Sequence, residues 1–189
     1  MRSYVERAKD FIAEVFPYLE KMTPWDVEEQ IEVFNSQYHR AVKVNHGIAR
    51  IALITSDYVV KFDYDPDEVA DVGGGHAEIT MYANAEREGM AHLFAQITAY
   101  KYNDREFYIM PLVRGVGSGR WYAEHYMNPQ ERDFCRKYKL SDLHSNNYGF
   151  VKGHVCLIDY ACCLPESTSE YDDYLEMQSS PHTWMDSWS

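Results

Sequence analysis

The sequence predicts an α+β fold, and three features of it do so. Residues 4–38 carry apolar side chains at helical spacing, and residues 40–64 and 94–110 fall into short β-branched and aromatic runs separated by turn residues. Residues 147–159 read as one more apolar hairpin. The chain has 189 residues, 46% hydrophobic and 25% charged, enough to bury a core as one domain or as a small two-lobed one. A formal net charge of −12 argues against nucleic acid as a partner, because affinity for a phosphate backbone rests on clustered Lys and Arg. An acidic surface suits basic protein partners or plain solubility.

The amino-terminal stretch M-R-S-Y-V-E-R-A-K-D lacks the apolar core of a signal peptide, and no apolar run approaches the roughly 18 residues of a membrane span. Cysteines stand at 135, 156, 162 and 163, without metal-ligand spacing, and the adjacent Cys162 and Cys163 do not suit an ordinary bridge to each other. A reduced cytoplasmic protein without membrane association is the expectation.

Taken in order, Val5, Ala8, Phe11, Ile12, Val15, Phe16 and Leu19 form a helical stripe, with Pro17 either interrupting the helix or starting its last turn. Thr23-Pro24-Trp25-Asp26 reads as an N-cap followed by proline at the first helical position, and Val27, Ile31 and Phe34 continue an amphipathic face. Both helices are expected to cover an exposed face of the chain beyond residue 40. The period then shortens. Ala41–Val44, Ile48–Ile54 and Tyr58–Phe62, separated by Asn45-His46-Gly47 and Ser56-Asp57, read as an antiparallel meander. An acidic loop from Asp63 ends in Gly73-Gly74-Gly75, and a helix is expected from His76 through Met90. Two further strands are expected around Phe94–Tyr100 and Glu106–Met110, turning at Asn103-Asp104. Pro111–Gly119 breaks all periodicity, after which Trp121, Tyr122, Tyr126, Phe134 and Tyr138 decorate helical segments as core residues.

The richest stretch in chemistry is S-D-L-H-S-N-N-Y-G-F-V-K-G-H-V-C-L-I-D-Y-A, from Ser141 to Ala161. It holds a carboxylate at Asp142, an amide at Asn147, an apolar hairpin turning at Lys152-Gly153 and a second carboxylate at Asp159. As isolated residues these are ordinary turn formers. Together they bring three oxygen-bearing side chains to one end of a hairpin. Asn147 and Asp159 are hard oxygen donors suited to Mg2+, which keeps several waters and takes further ligands from a bound phosphate. Asp142 then stands where an attacking hydroxyl needs orienting.

This stretch resembles the catalytic loop and metal-binding Asp of the protein-kinase-like superfamily, with its D-x-x-x-x-N, hairpin and D-F-G. The variant D-L-H-x-x-N is more similar to aminoglycoside-phosphotransferase-like kinases and the early protein kinases of bacteriophages than to eukaryotic kinases. The resemblance covers about residues 40–162 and implies a two-lobed fold. Residues 1–39 would be a helical extension, 40–113 a small antiparallel-sheet lobe, 114–165 a truncated helical large lobe, and 166–189 a tail with one helix around Tyr171–Met177. It implies ATP and Mg2+ as cofactors. Lys61 in V-V-K-F would orient the phosphates, and Glu78 in E-I-T-M-Y would pair with it. Asp142 would orient the acceptor, and Asn147 and Asp159 would bind the metal. Met110, Leu112 and Val113 would form the hinge holding an adenine edge.

The match departs from the family in three places. In N-H-G-I-A-R only Gly47 survives of three phosphate-loop glycines; Asn45 tolerates positive φ in place of the first, and Arg50 stands for the third, either touching phosphate or marking lost nucleotide binding. D-Y-A replaces D-F-G. Ser141 replaces the Arg that reads a phosphorylated activation loop, so regulation of that kind is not expected. The expected function is an ATP- and Mg-dependent phosphotransferase, a compact Ser/Thr protein kinase acting on a protein substrate, in the host cytoplasm if phage-encoded. The alternatives are a pseudokinase that works by binding or inhibiting a partner, a small-molecule kinase, and nucleotidyl transfer on the same scaffold.

Overall fold

The computed structural model describes residues 2–20, 26–47, 50–64, 74–115, 127–140, 147–151 and 154–160. Helix α1 spans Tyr4–Leu19 and opens on a capping box: Ser3 Oγ accepts the Glu6 N–H at 3.2 Å, and Glu6 Oε2 accepts the Ser3 N–H at 2.9 Å. Pro17 lies within its last turn, and the helix still closes with the Glu20 N–H donating to the Phe16 carbonyl at 2.9 Å. Helix α2 spans Val27–Tyr38 and buries Val27, Ile31 and Phe34 on one face. Its N-cap is Asp26, without a side-chain cap bond, beyond the Thr23-Pro24-Trp25 start read from sequence, which lies outside the described residues. His39 ends it at φ 51°, and the Asn35 amide then pairs with both backbone groups of Val42, at 2.8 and 3.0 Å. That side chain stands in for a strand neighbour and so aims the chain into the sheet.

Strands β1 (Lys43–His46), β2 (Arg50–Ile54), β3 (Tyr58–Asp63), β4 (Thr98–Tyr102) and β5 (Arg105–Pro111) form an antiparallel sheet in the order β1-β2-β3-β5-β4. The β4–β5 hairpin closes on Asn103 and Asp104, with φ of 45° and 63°, the doubly left-handed turn that matches strand twist. Strand β4 starts at Thr98 rather than Phe94. Phe94 instead makes a parallel bridge to Leu157, and the Ala95 N–H donates to the Leu157 carbonyl at 2.7 Å, so this apolar run serves another sheet. Asn45 sits in β1 opposite Ala52 and is absent from the positive-φ residues, because strand pairing holds it extended; the expectation of a glycine-like φ there is corrected.

Side-chain alternation sends the two faces of this sheet to two cores. Ile51, Leu53, Val60, Phe62, Phe107 and Ile109 pack with α1 and α2, whose Phe11, Phe16 and Phe34 meet neighbouring rings edge-on. The two leading helices thus cover this face, as expected of them. Tyr108 and Met110 point the other way. They meet helix α3 (Gly75–Arg87), the short 3₁₀ turn Ala91–Leu93 and helix α4 (Pro129–Lys137), which carries Phe134. Strands β6 (Arg114–Gly115), β7 (Tyr148–Val151) and β8 (His154–Leu157) make a small antiparallel sheet in the order β6-β7-β8. Tyr148, Cys156 and Leu157 from this sheet, and Tyr160 after it, complete the second core. Pro111–Gly119 is partly regular, since Arg114 and Gly115 pair with Phe150 and Gly149. Cys135 and Cys156 are buried thiols, each pushed up by burial. Among the described residues no helix is long and apolar enough to cross a membrane.

Gly75 belongs to α3, one residue earlier than the helix start read from sequence. A Cβ there would lie 2.0 Å from Tyr108 Cε2. Glycine lets the first turn of α3 rest on that ring, while the Asp63 carboxylate accepts the Gly75 N–H at 3.2 and 3.3 Å. An exposed helical Gly→Ala change normally stabilises by about 0.5–1 kcal/mol. Here we expect the reverse. Gly75→Ala should cost about 1–3 kcal/mol by overpacking, read as a lower midpoint in urea with an unchanged slope; a raised midpoint would contradict the packing described.

Candidate active site

The site is assembled by strand register. On β2 and β3, Arg50 is opposite Asp63 and Ala52 is opposite Lys61, so Arg50 and Lys61 project from the same face, toward α3. Gly47 precedes a two-residue connection, and its N–H donates to the Arg50 carbonyl at 2.7 Å; Ile48 and Ala49 between them lie outside the described residues. This short hairpin fixes where Arg50 leaves the sheet. From α3 comes Glu78, on the first turn and on the buried face with Met81 and Ala85.

Lys61 Nζ lies 2.9 Å from Glu78 Oε1 and 3.2 Å from Oε2, and donates also to the Ile158 carbonyl at 2.9 Å. Glu78 is fully buried. Its carboxylate further accepts the Tyr160 N–H at 3.3 Å and stands 3.0 Å from Arg50 Nη1. Arg50 Nη2 reaches Asp159 Oδ1 at 2.5 Å. Two cations and two carboxylates from β2, β3, α3 and the segment after β8 therefore form one closed cluster. An ionised group left alone at the depth of Glu78, Lys61 and Arg50 is prohibitively costly, which is why each of them contacts an opposite charge, while Asp159, with its side chain 41% exposed, closes the cluster from the solvent side.

Burial would push the Asp159 carboxyl up, but Lys61 and Arg50 hold it below the usual carboxylate range. Arg50 loses to burial and gains more from Glu78 and Asp159, so its charge is secured. Asp63 is pushed up by burial, against the opposing Gly75 N–H and Arg50. Tyr108 is raised by burial and by its hydrogen bond to Glu106 at 2.9 Å, and Tyr160 is raised by burial and then by Glu78.

Asn147 is buried, and its backbone carbonyl accepts the Ile158 N–H at 2.7 Å. Tyr148 pairs with Leu157, so Asn147 comes opposite Ile158, one residue from Asp159. Lys61, Glu78, Arg50 and Asp159 are thus brought together, with Asn147 beside them; Asp142 lies outside the described residues. Of the hinge residues, Met110 is buried in β5 opposite Val59, and Val113 packs on the second core. The Leu112 N–H donates to the Asp57 carbonyl at 3.0 Å, so this donor is engaged within the chain.

Asn147 and Asp159 are oxygen donors of the type Mg2+ takes, and a magnesium ion needs few protein ligands when a phosphate supplies others. Among the described residues no group of three or more His, Cys, Asp or Glu side chains assembles. Two participants escaped the sequence reading. Asp63 anchors α3, and Tyr160 supplies a backbone donor to Glu78 while its hydroxyl donates to the Ala95 carbonyl at 2.9 Å. Neither left a local signal. Arg50, at the phosphate-loop position, also contacts both carboxylates; its place two residues from Ala52, the strand partner of Lys61, marks it as sharing that face. Comparison of the sequence with protein-family models and with curated proteins gave no match.

Proposed function

We propose that this chain adopts a two-lobed protein-kinase-like fold and is an ATP- and Mg-dependent phosphotransferase acting on Ser or Thr of a cytoplasmic protein. The observation that carries this reading is the buried Lys61–Glu78 pair at 2.9 Å, set beneath a five-stranded antiparallel sheet and joined to Asp159. Phosphoryl transfer asks the protein for positioning and charge stabilisation rather than covalent chemistry. In this reading Glu78 keeps Lys61 directed at the α- and β-phosphates, and Asn147 and Asp159 hold magnesium. The metal, when bound, neutralises charge on the phosphates. Asp142 orients the acceptor hydroxyl and takes its proton as the acceptor oxygen bonds to the γ-phosphorus and the bridging oxygen departs with ADP.

One observation favours a second reading, a pseudokinase that binds or inhibits a partner: Arg50 already engages Asp159. Incubating the purified protein with ATP, magnesium and host-cell lysate separates these. Label from the γ- but not the α-phosphate is expected on lysate proteins. Transfer of α-label would point to nucleotidyl transfer, and no transfer of either would remove the enzyme reading.

A further inference from the structure

Arg50 is placed where a bound cation would be needed. Its side chain is only 13% exposed, Nη2 holds Asp159 Oδ1 at 2.5 Å, and Nη1 lies 3.0 Å from Glu78 Oε2. Nη1 is buried and faces that oxygen without hydrogen-bond geometry, so this end of the guanidinium is held by charge alone beside Lys61. A buried charged donor without a hydrogen bond is costly and is the natural partner of an anion brought into the site. The Asp159 oxygen, conversely, is taken. A divalent ion arriving alone would have to displace a guanidinium held by two carboxylates and then stand next to it, like charge against like.

We infer that Arg50 is an internal counter-cation that makes the site bind nucleotide polyphosphate first, without a divalent metal, and exclude the metal until phosphate has drawn Arg50 off Asp159. The inference rests on the proposed nucleotide-binding reading and adds an order of binding to it. A guanidinium suits this role better than an ammonium, because its planar fork spans a carboxylate and a phosphate at once.

Calorimetry on the full chain tests it with ATP in EDTA and ATP with magnesium, and electron paramagnetic resonance tests it with Mn2+ alone. The wild type should bind ATP in EDTA and should not bind Mn2+ alone. Arg50→Gln should weaken metal-free ATP binding about tenfold or more, the loss expected for one hydrogen bond to a charged group. The same variant should gain Mn2+ binding without nucleotide, and Arg50→Lys should recover only part of the metal-free affinity. ATP binding that needs magnesium in the wild type would overturn the inference and leave the nucleotide-binding reading standing. No ATP binding in either buffer would overturn both. Wild-type binding of Mn2+ alone, or an Arg50→Gln protein with unchanged affinity in EDTA, would also overturn it. The wild-type measurements decide even where a variant folds poorly.

Discussion

Glu78→Ala is expected to destabilise the protein by about 3–5 kcal/mol, the cost of leaving buried charge without its partner. Glu78 is fully buried and answers Lys61 on two oxygens, Arg50 on one and the Tyr160 N–H. Removing it leaves two cations facing Asp159 alone, whose side chain is 41% exposed and correspondingly screened. At the roughly 2–4 °C per kcal/mol typical of chains this long, the thermal midpoint should fall by about 10 °C. Glu78→Gln should cost less, since the amide keeps an acceptor for Lys61. Joining Glu78→Ala to Lys61→Met should recover part of the loss, because an apolar replacement of the pair removes an orphaned charge. A cost below about 1 kcal/mol for Glu78→Ala, or strict additivity in the double variant, would mean that the cluster is not the buried, coupled unit described.

The larger effect is expected on chemistry. Asp142→Ala should lower phosphoryl transfer by about 10²–10⁴-fold, the usual contribution of a positioned acid–base group. Nucleotide affinity should stay nearly unchanged, because a residue that meets the acceptor acts in the transition state and makes little ground-state contact with ATP. Loss of ATP affinity in parallel with turnover would reassign Asp142 to nucleotide or metal binding. A wild type with no transfer above the Asp142→Ala background would favour the partner-binding reading.

The site was partly legible because its parts sit on elements with clear periods. The elements that carry Lys61 and Glu78 follow from a β-branched run and from strong helix formers, whereas the two residues stand out only through the resemblance to kinase motifs, an acid on a helix being ordinarily solvated. Asn147 and Asp159 flank an apolar hairpin, so local pairing already brings them near each other. Boundaries read less well. Phe94–Ile97 looks like the start of a strand by composition, yet it leaves the large sheet to pair and pack with Leu157, a choice made by distant chain.

By itself the sequence determined the α+β alternation, the two covering helices, the Asn103-Asp104 turn and the oxygen donors Asn147 and Asp159, because spacing and turn chemistry are local properties, while Lys61 and Glu78 became candidates through the resemblance to kinase motifs. Only the tertiary structure decided that Arg50 joins Glu78 and Asp159, that Gly75 must yield room to Tyr108, and that the Leu112 N–H is engaged by Asp57. Those contacts link residues far apart in the chain. They depend on which faces the packed sheet and α3 turn toward each other, and no local pattern encodes the partner of a buried charge.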